Sequence, residues 1–151
     1  MKVCIGGTFD ILHKGHKYLI SKAFEVAGKQ GHIFIGITSG KFFRNKKNLK
    51  TFNERKKAVL DYISKKKTVN TVVVKPIKDK YGPSIDGDFD AIVVSPETVE
   101  SAEEINRKRR GIGKKPLEII KMPFILAEDG KTISSSRIKK GEIDINGKLL
   151  R

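Results

Sequence analysis

The chain has 151 residues, 38% of them hydrophobic, and a net charge of +15 at pH 7. That length suits one domain with its own core, and no apolar run approaches the roughly 18 residues of a membrane-spanning helix. Cys4 is the only cysteine, which excludes a disulfide framework; its place in an apolar run predicts a buried, inert thiol. The first residues do not resemble a signal peptide, because Gly-Gly follows a very short apolar stretch, so cytoplasm is the expected location. The positive charge admits an acidic ligand, nucleic acid or a generally lysine-rich surface.

In chain order, Val3, Cys4 and Ile5 predict a first strand, broken by Gly6-Gly7. Residues 15–28 carry an amphipathic pattern (Tyr18, Leu19, Ala23, Val26, Ala27) that predicts a helix closing near Gly28 or Gly31. His32 to Ile37 is an almost continuous apolar run, as in strands covered on both faces. Residues 38–51 are polar and strongly basic and predict a loop. Asn53 is the expected N-cap of a second helix with Ala58, Val59, Leu60, Tyr62 and Ile63 on its apolar positions. Thr71–Val74 reads as a β-branched strand, and Lys78–Asp88 as a Gly/Pro/Asp-rich connection. Ala91–Val94 is another buried strand. Pro96 stands near the start of a third helix that is acidic early (Glu97, Glu100, Glu103, Glu104) and basic late (Arg107 to Arg110), matching the helix dipole, and that ends at Gly111. Leu117–Met122 is a fifth strand, Pro123–Asp129 an irregular return, Gly130 a turn and Ser134–Lys140 a short helix. The tail from Glu142 is polar and expected to be loosely held. Strand and helix alternate throughout. The expected fold is therefore α/β: a Rossmann-like, open parallel five-stranded sheet with helices on both faces, in a single domain. Its ligand cleft should lie at the carboxyl ends of the strands, where the loops 6–16, 38–51, 75–88, 95–98 and 122–135 meet.

His13 and His16 stand three apart, between a strand–Gly-Gly turn and a helix start. A helix start offers free N–H groups and a positive dipole end, and glycines let backbone approach a bulky anion. The pair therefore reads as a phosphate site. A metal centre fits less well, because two histidines with only Asp10 nearby are too few ligands. The glycines match neither the dinucleotide fingerprint nor a Walker A loop. Late in the chain, Ile133-Ser134-Ser135-Ser136-Arg137 places hydroxyls, backbone N–H groups and a guanidinium at a second helix start.

Gly-Gly-Thr-Phe-Asp-x-Leu-His-x-Gly-His together with Ile-Ser-Ser-Ser-Arg resembles the nucleotidyltransferase superfamily marked by H-x-G-H and a late serine-rich motif. Within it, Val-Val-Ser-Pro-Glu-Thr at 93–98, Glu-Glu-Ile-Asn-Arg-Lys-Arg at 103–109 and the stretch 116–137 resemble the phosphopantetheine adenylyltransferases of archaeal and eukaryotic type. The resemblance covers essentially the whole chain. It implies transfer of AMP from ATP to 4′-phosphopantetheine, giving dephospho-coenzyme A and pyrophosphate by direct in-line attack. It further implies that His16 and His13 act on the α/β-phosphates and the triphosphate, and that Gly7, Thr8 and Phe9 contact ATP. Thr8 would also meet the incoming phosphate, and Ser134, Ser135, Ser136 and Arg137 would hold the β/γ-phosphates. A lysine after the second strand would bridge the substrates: Lys41 on one alignment, Lys46 or Lys47 on another. Arg107 and Arg110, three apart on a helix, are expected to reach ATP, with Asn106 and Glu97 as weaker candidates on the adenosine side. Tyr81 and Gly82 are expected along the pantetheine arm. Mg²⁺ would arrive with ATP, held mainly by phosphate oxygens and water.

Two other readings stay open at this point. One is a related transferase, such as a glycerol-phosphate cytidylyltransferase or an FMN adenylyltransferase. The other is a basic nucleic-acid-binding module, which is disfavoured by an aromatic content of 7% and the lack of aromatics interleaved with a basic stripe.

Overall fold

The computed structural model describes residues 1–40 and 49–150. Five strands, β1 (Lys2–Gly7), β2 (His32–Thr38), β3 (Thr71–Ile77), β4 (Ala91–Val94) and β5 (Glu118–Lys121), form one all-parallel sheet in the order β3-β2-β1-β4-β5. The connecting helices are α1 (Lys14–Ala27), α2 (Phe52–Ser64) and α3 (Val99–Gly111); the short α4 (Ser135–Lys139) follows β5. The chain winds outward from β1 to β3 and then returns to the other side of β1 for β4. The switch point therefore lies between β1 and β4.

Alternate residues of each strand enter opposite cores. Val3, Ile5, Ile33, Ile35, Val74, Ala91 and Val93 pack with Ile20, Ala23 and Val59 of α1 and α2. Cys4, Ile92 and Val94 pack on the other face with Ala102 and Ile105 of α3 and with Leu117. Each fully buried isoleucine contributes roughly 1.5–3 kcal/mol. Burial also pushes the Cys4 thiol up to about 12, which makes it unreactive, as expected.

Several boundaries differ from the sequence reading. α3 starts at Val99 behind the N-cap Thr98, so Pro96 and Glu97 stand in the turn before the helix rather than in its first turn. Gly6 and Gly7 do not break β1 but are its last two residues, paired in register with Gly36 and Ile37 of β2. At Gly36 a Cβ would come within 2.8 Å of Ile77 Cγ2, so this crossing of strands has no room for a side chain. β3 continues past Val74 to Ile77 through Pro76, which an edge strand tolerates because one side of its backbone is unpaired. The N-cap of α2 is Thr51 rather than Asn53: its hydroxyl accepts the Glu54 N–H at 3.2 Å and donates to the Glu54 carboxylate at 3.1 Å. The stretch from Glu142, read as a loose tail, folds back on the domain. Ile143 is fully buried with Ala127 and Ile133, and the Ile145 carbonyl accepts the Lys14 N–H at 2.9 Å.

Candidate active site

The strand ends, with the starts of α1 and α4, enclose a cleft of about 520 Å³ beside the switch point. Gly7, Thr8, Phe9, His13, His16, Ser134 and Ser135 all line it, so residues about 120 positions apart in sequence share one wall. Ser135 Oγ donates to the Ile11 carbonyl at 3.5 Å, a direct link between the two motifs.

The histidines are built into the start of α1. His13 is its N-cap, and its Nδ1 accepts the N–H groups of Gly15 (3.0 Å) and His16 (3.4 Å). His16, three residues on, returns the favour: its Nδ1 accepts the His13 N–H at 3.3 Å. This is a reciprocal capping box made of two imidazoles. Their spacing is thus first a capping requirement. The two rings stack with centroids 3.7 Å apart and planes 18° from parallel. Because each Nδ1 accepts a hydrogen bond, each neutral ring carries its proton on Nε2. Burial pushes His13 down to about 4. Burial together with the stacked His13 pushes His16 down to about 3, offset in small part by the Ile11 carbonyl and Asp10. Both rings are neutral at pH 7 and can act as N–H donors to an anion.

A pH dependence of stability follows. Both folded values lie below the ordinary 6.5, so unfolding takes up protons below that pH. The histidines' contribution is complete above about pH 6.5 and is lost as pH falls towards their folded values. The melting temperature should hold between pH 7 and 8 and fall below 6.5, with about 2 kcal/mol lost per ring by pH 5. His13→Asn keeps an N-cap acceptor but does not titrate. Its melting temperature should fall less steeply with acid, and an unchanged slope would refute this account.

Gly15 is where the stack allows no side chain: a Cβ there would lie 2.9 Å from His13 Cε1 and 3.1 Å from its Nδ1. Gly15→Ala should improve intrinsic helix propensity yet tilt the His13 ring off its cap and partner. The expected result is a 10- to 100-fold fall in kcat, roughly, with little change in the denaturant midpoint. Full activity in this variant would show that the stacked geometry is dispensable.

The turn after β1 is similarly constrained. Phe9 has φ +51°, in the left-handed region, at a cost of about 1–2 kcal/mol. Its ring is 1% exposed and lies 5.1 Å from the His16 ring, so core burial offsets the strain and backs the histidine. A Cβ on Gly7 would meet that ring at 3.0 Å. Asp10 anchors the next residues: its carboxylate accepts the Lys50 N–H at 2.9 Å and pairs with Lys139 of α4. Burial would raise its pKa, but these partners outweigh that and hold it below the ordinary value.

At α4, Ser134 caps the helix by accepting the Arg137 N–H at 3.2 Å. Ser136 is exposed and Arg137 turns away from the cleft, pairing with Glu142 at 2.8 Å and with Asp129. Arg107 and Arg110 are exposed on α3 and do not line the cleft. Tyr81 and Gly82 also lie outside its lining; the Tyr81 hydroxyl bonds Glu104, and the Gly82 N–H donates to Asp79 Oδ1 at 2.6 Å. Asn106 is buried, exchanging hydrogen bonds with the Leu117 backbone at 2.7 and 2.9 Å, while Glu97 does line the cleft. Lys41, Lys46 and Lys47 lie outside the described residues.

The chain matches the cytidylyltransferase-like family model over residues 4–141. A phosphopantetheine adenylyltransferase of Methanosarcina acetivorans is 45% identical over 99% of this chain and 96% of its own. That of Archaeoglobus fulgidus is 44% identical over 99% of this chain and its entire length. The chain belongs to the cytidylyltransferase-like family, on its phosphopantetheine adenylyltransferase branch. Among solved structures, a protein of unknown function from Archaeoglobus fulgidus superposes with a TM-score of 0.71 at 40% identity, covering 81% of this chain and 89% of that one. A lipopolysaccharide core biosynthesis protein from Thermoplasma volcanium, 22% identical with a TM-score of 0.59, shares the fold; the match covers 81% of this chain and 95% of that one.

Several residues of this family member escaped the sequence reading. Thr38, Lys80, Thr98 and Ser101 line the cleft. Arg55 is 3% exposed and binds three backbone carbonyls beneath it: Thr8 at 3.0 Å, Thr38 at 2.7 Å and Lys50 at 2.9 Å. Its signal was present: residue 55 stands four before Val59, on the apolar face of α2, where an arginine needs buried acceptors. Arg109 does the same for Ser84, Ile85, Gly87 and Lys115, fastening the β3–β4 connection to α3.

Proposed function

We infer that this chain transfers the adenylyl group of ATP to 4′-phosphopantetheine, releasing dephospho-coenzyme A and pyrophosphate. The observation that carries this reading is the one cleft shared by the stacked neutral histidines and the α4 serines, in a chain nearly half identical to enzymes of that name. A phosphate oxygen of phosphopantetheine forms a bond to the α-phosphorus of ATP. The bond from that phosphorus to the β-bridging oxygen breaks, and pyrophosphate leaves with the electron pair. The nucleophile is already an anion, so no general base is required. The lining agrees: its only carboxylate among the described residues is Glu97, and its histidines have no tendency to take a proton near pH 7.

In this reading the Nε2–H groups of His16 and His13 donate to the α/β-phosphate oxygens as charge builds up. The Thr8 hydroxyl, which accepts from Thr38 Oγ1 at 3.2 Å, serves the incoming phosphate. Ser134 and Ser135 receive the β/γ-phosphates. The exposed Ser136, Arg107 and Arg110 and the ion-paired Arg137 would have to reorient to touch ATP. The bridging lysine is Lys41, or Lys46 or Lys47. A divalent cation, Mg²⁺, fits as a passenger of the triphosphate: no cluster of three or more His, Cys, Asp or Glu able to hold a metal occurs among the described residues, whereas hydroxyls and Glu97 offer hard oxygen donors. Bound, it would neutralise triphosphate charge. No helix among the described residues is long and apolar enough to cross a membrane, and we place the reaction in the cytoplasm.

The test is pyrophosphate release across a panel: ATP or CTP, each with 4′-phosphopantetheine, glycerol 3-phosphate or FMN. Turnover is expected with ATP and 4′-phosphopantetheine. Turnover only with CTP and glycerol phosphate, or with ATP and FMN, would move the chain to a neighbouring activity. RNA binding with steep salt dependence and no turnover would remove it from catalysis.

A further inference from the structure

For a molecule of net charge +15, the cleft has few cations: among the described residues, Lys80 is the only lysine or arginine in its lining. Lys80 follows β3, and its Nζ pairs with Glu104 of α3 at 3.1 Å and lies 5.2 Å from the centre of the Tyr81 ring. The Tyr81 hydroxyl bonds the same carboxylate, and Lys108 Nζ also lies over that ring, 5.5 Å from its centre. Glu104 thus parks the ammonium at the cleft's edge. The Lys80 side chain is 51% exposed there, and a solvent-screened surface pair of this kind holds its lysine only weakly. A doubly charged phosphate can take the lysine from Glu104 at little cost.

The direction of the reaction says which phosphate. In-line displacement puts nucleophile and leaving group on opposite sides of the α-phosphorus. On the reading above, pyrophosphate leaves towards Ser134 and Ser135, which are joined to the β5 side by the Ile133 N–H donating to the Ile125 carbonyl at 3.0 Å. The acceptor phosphate must then enter from the β2–β3 side of the sheet. There the lining is Thr38, Ile77 and Lys80. We propose that Lys80 binds the phosphate of the acceptor and makes the cleft select a phosphomonoester over the same molecule without its phosphate. The proposal rests on the adenylyl-transfer reading and adds a residue that the motifs do not contain.

Steady-state kinetics on Lys80→Ala and Lys80→Arg test it, with calorimetric binding of 4′-phosphopantetheine and of unphosphorylated pantetheine. Lys80→Ala should raise the KM for 4′-phosphopantetheine roughly 10- to 100-fold, leave the KM for ATP within about twofold, and bring the two acceptors' affinities together. Lys80→Arg should recover most of the loss, because it restores the charge. An unchanged acceptor KM in Lys80→Ala, or a rise in the ATP KM instead, overturns the assignment. Wild-type turnover, measured alongside, reports on the parent reading separately: activity with 4′-phosphopantetheine in the wild type combined with a silent Lys80→Ala defeats Lys80 alone.

Discussion

His16→Ala should lower kcat for pyrophosphate release by about 10³-fold, the loss that follows removal of one well-placed donor to a developing anion. Two effects combine in that variant. The Nε2–H proposed above to meet the transferring phosphate is gone, and so is the Nδ1 that accepts the His13 N–H at 3.3 Å. The second effect alone is a lost helix cap, worth about 1 kcal/mol. His16→Gln separates them. Glutamine at this position of a capping box can still accept the N-cap N–H, but it cannot stack on His13 or hold a donor where Nε2 stands. Its melting temperature should return to within a degree or two of wild type, while kcat stays at least about 100-fold down. If His16→Ala kept more than a tenth of the wild-type rate, the histidine would be a cap only.

Arg55→Ala has the largest expected effect on stability. Its guanidinium is the only described side-chain partner of three carbonyls at the floor of the site, on Thr8, Thr38 and Lys50. Burial pushes its pKa down, and Asp10 partly offsets this, but it remains charged. Alanine leaves those acceptors inside without the donor that satisfies them, at a cost of about 3–5 kcal/mol in all. In a chain of this size that is a fall of roughly 10 °C in melting temperature. Arg55→Lys should recover less than half, since one ammonium cannot span three acceptors as a planar fork does. Activity of the folded fraction should fall as well, because Thr8 loses its support on both the carbonyl and, through Thr38, the hydroxyl side. An unfolding free energy for Arg55→Ala within about 1 kcal/mol of wild type, from denaturant titration, would show that water replaces the guanidinium without loss.

The contrast among the arginines explains how far the sequence could be read. The apolar positions of α1, α2 and α3 state which residues turn inward, and the β-branched runs state where strands lie. Both signals are local and periodic, so element order, parallel sheet and cleft position followed from them. Arginine carries no such signal. Arg107 and Arg110 have the spacing of a pair on one helix face, but that face is solvent; Arg109, between them, is the one that enters the protein. Arg137 sits in the serine motif, yet Asp129 and Glu142 hold it outside the cleft. Which way a long cationic side chain turns depends on where buried carbonyls and carboxylates end up, and those come from distant segments. Lys80 was passed over for the same reason: one lysine among many is distinguished only by the cavity it borders.

Residues 2–16 by themselves determined a strand, a glycine turn and a helix start with two histidines three apart, which is enough chemistry to call an anion. Helix spacing and the conformational freedom of glycine are properties of the local chain, and they need no partner to be read. Only the tertiary structure decided that His13 and His16 cap one another, that their protons sit on Nε2, and that burial keeps both neutral. It also brought Ser134 and Ser135 to the same wall, because parallel strands end together at one edge of the sheet whatever their separation along the chain.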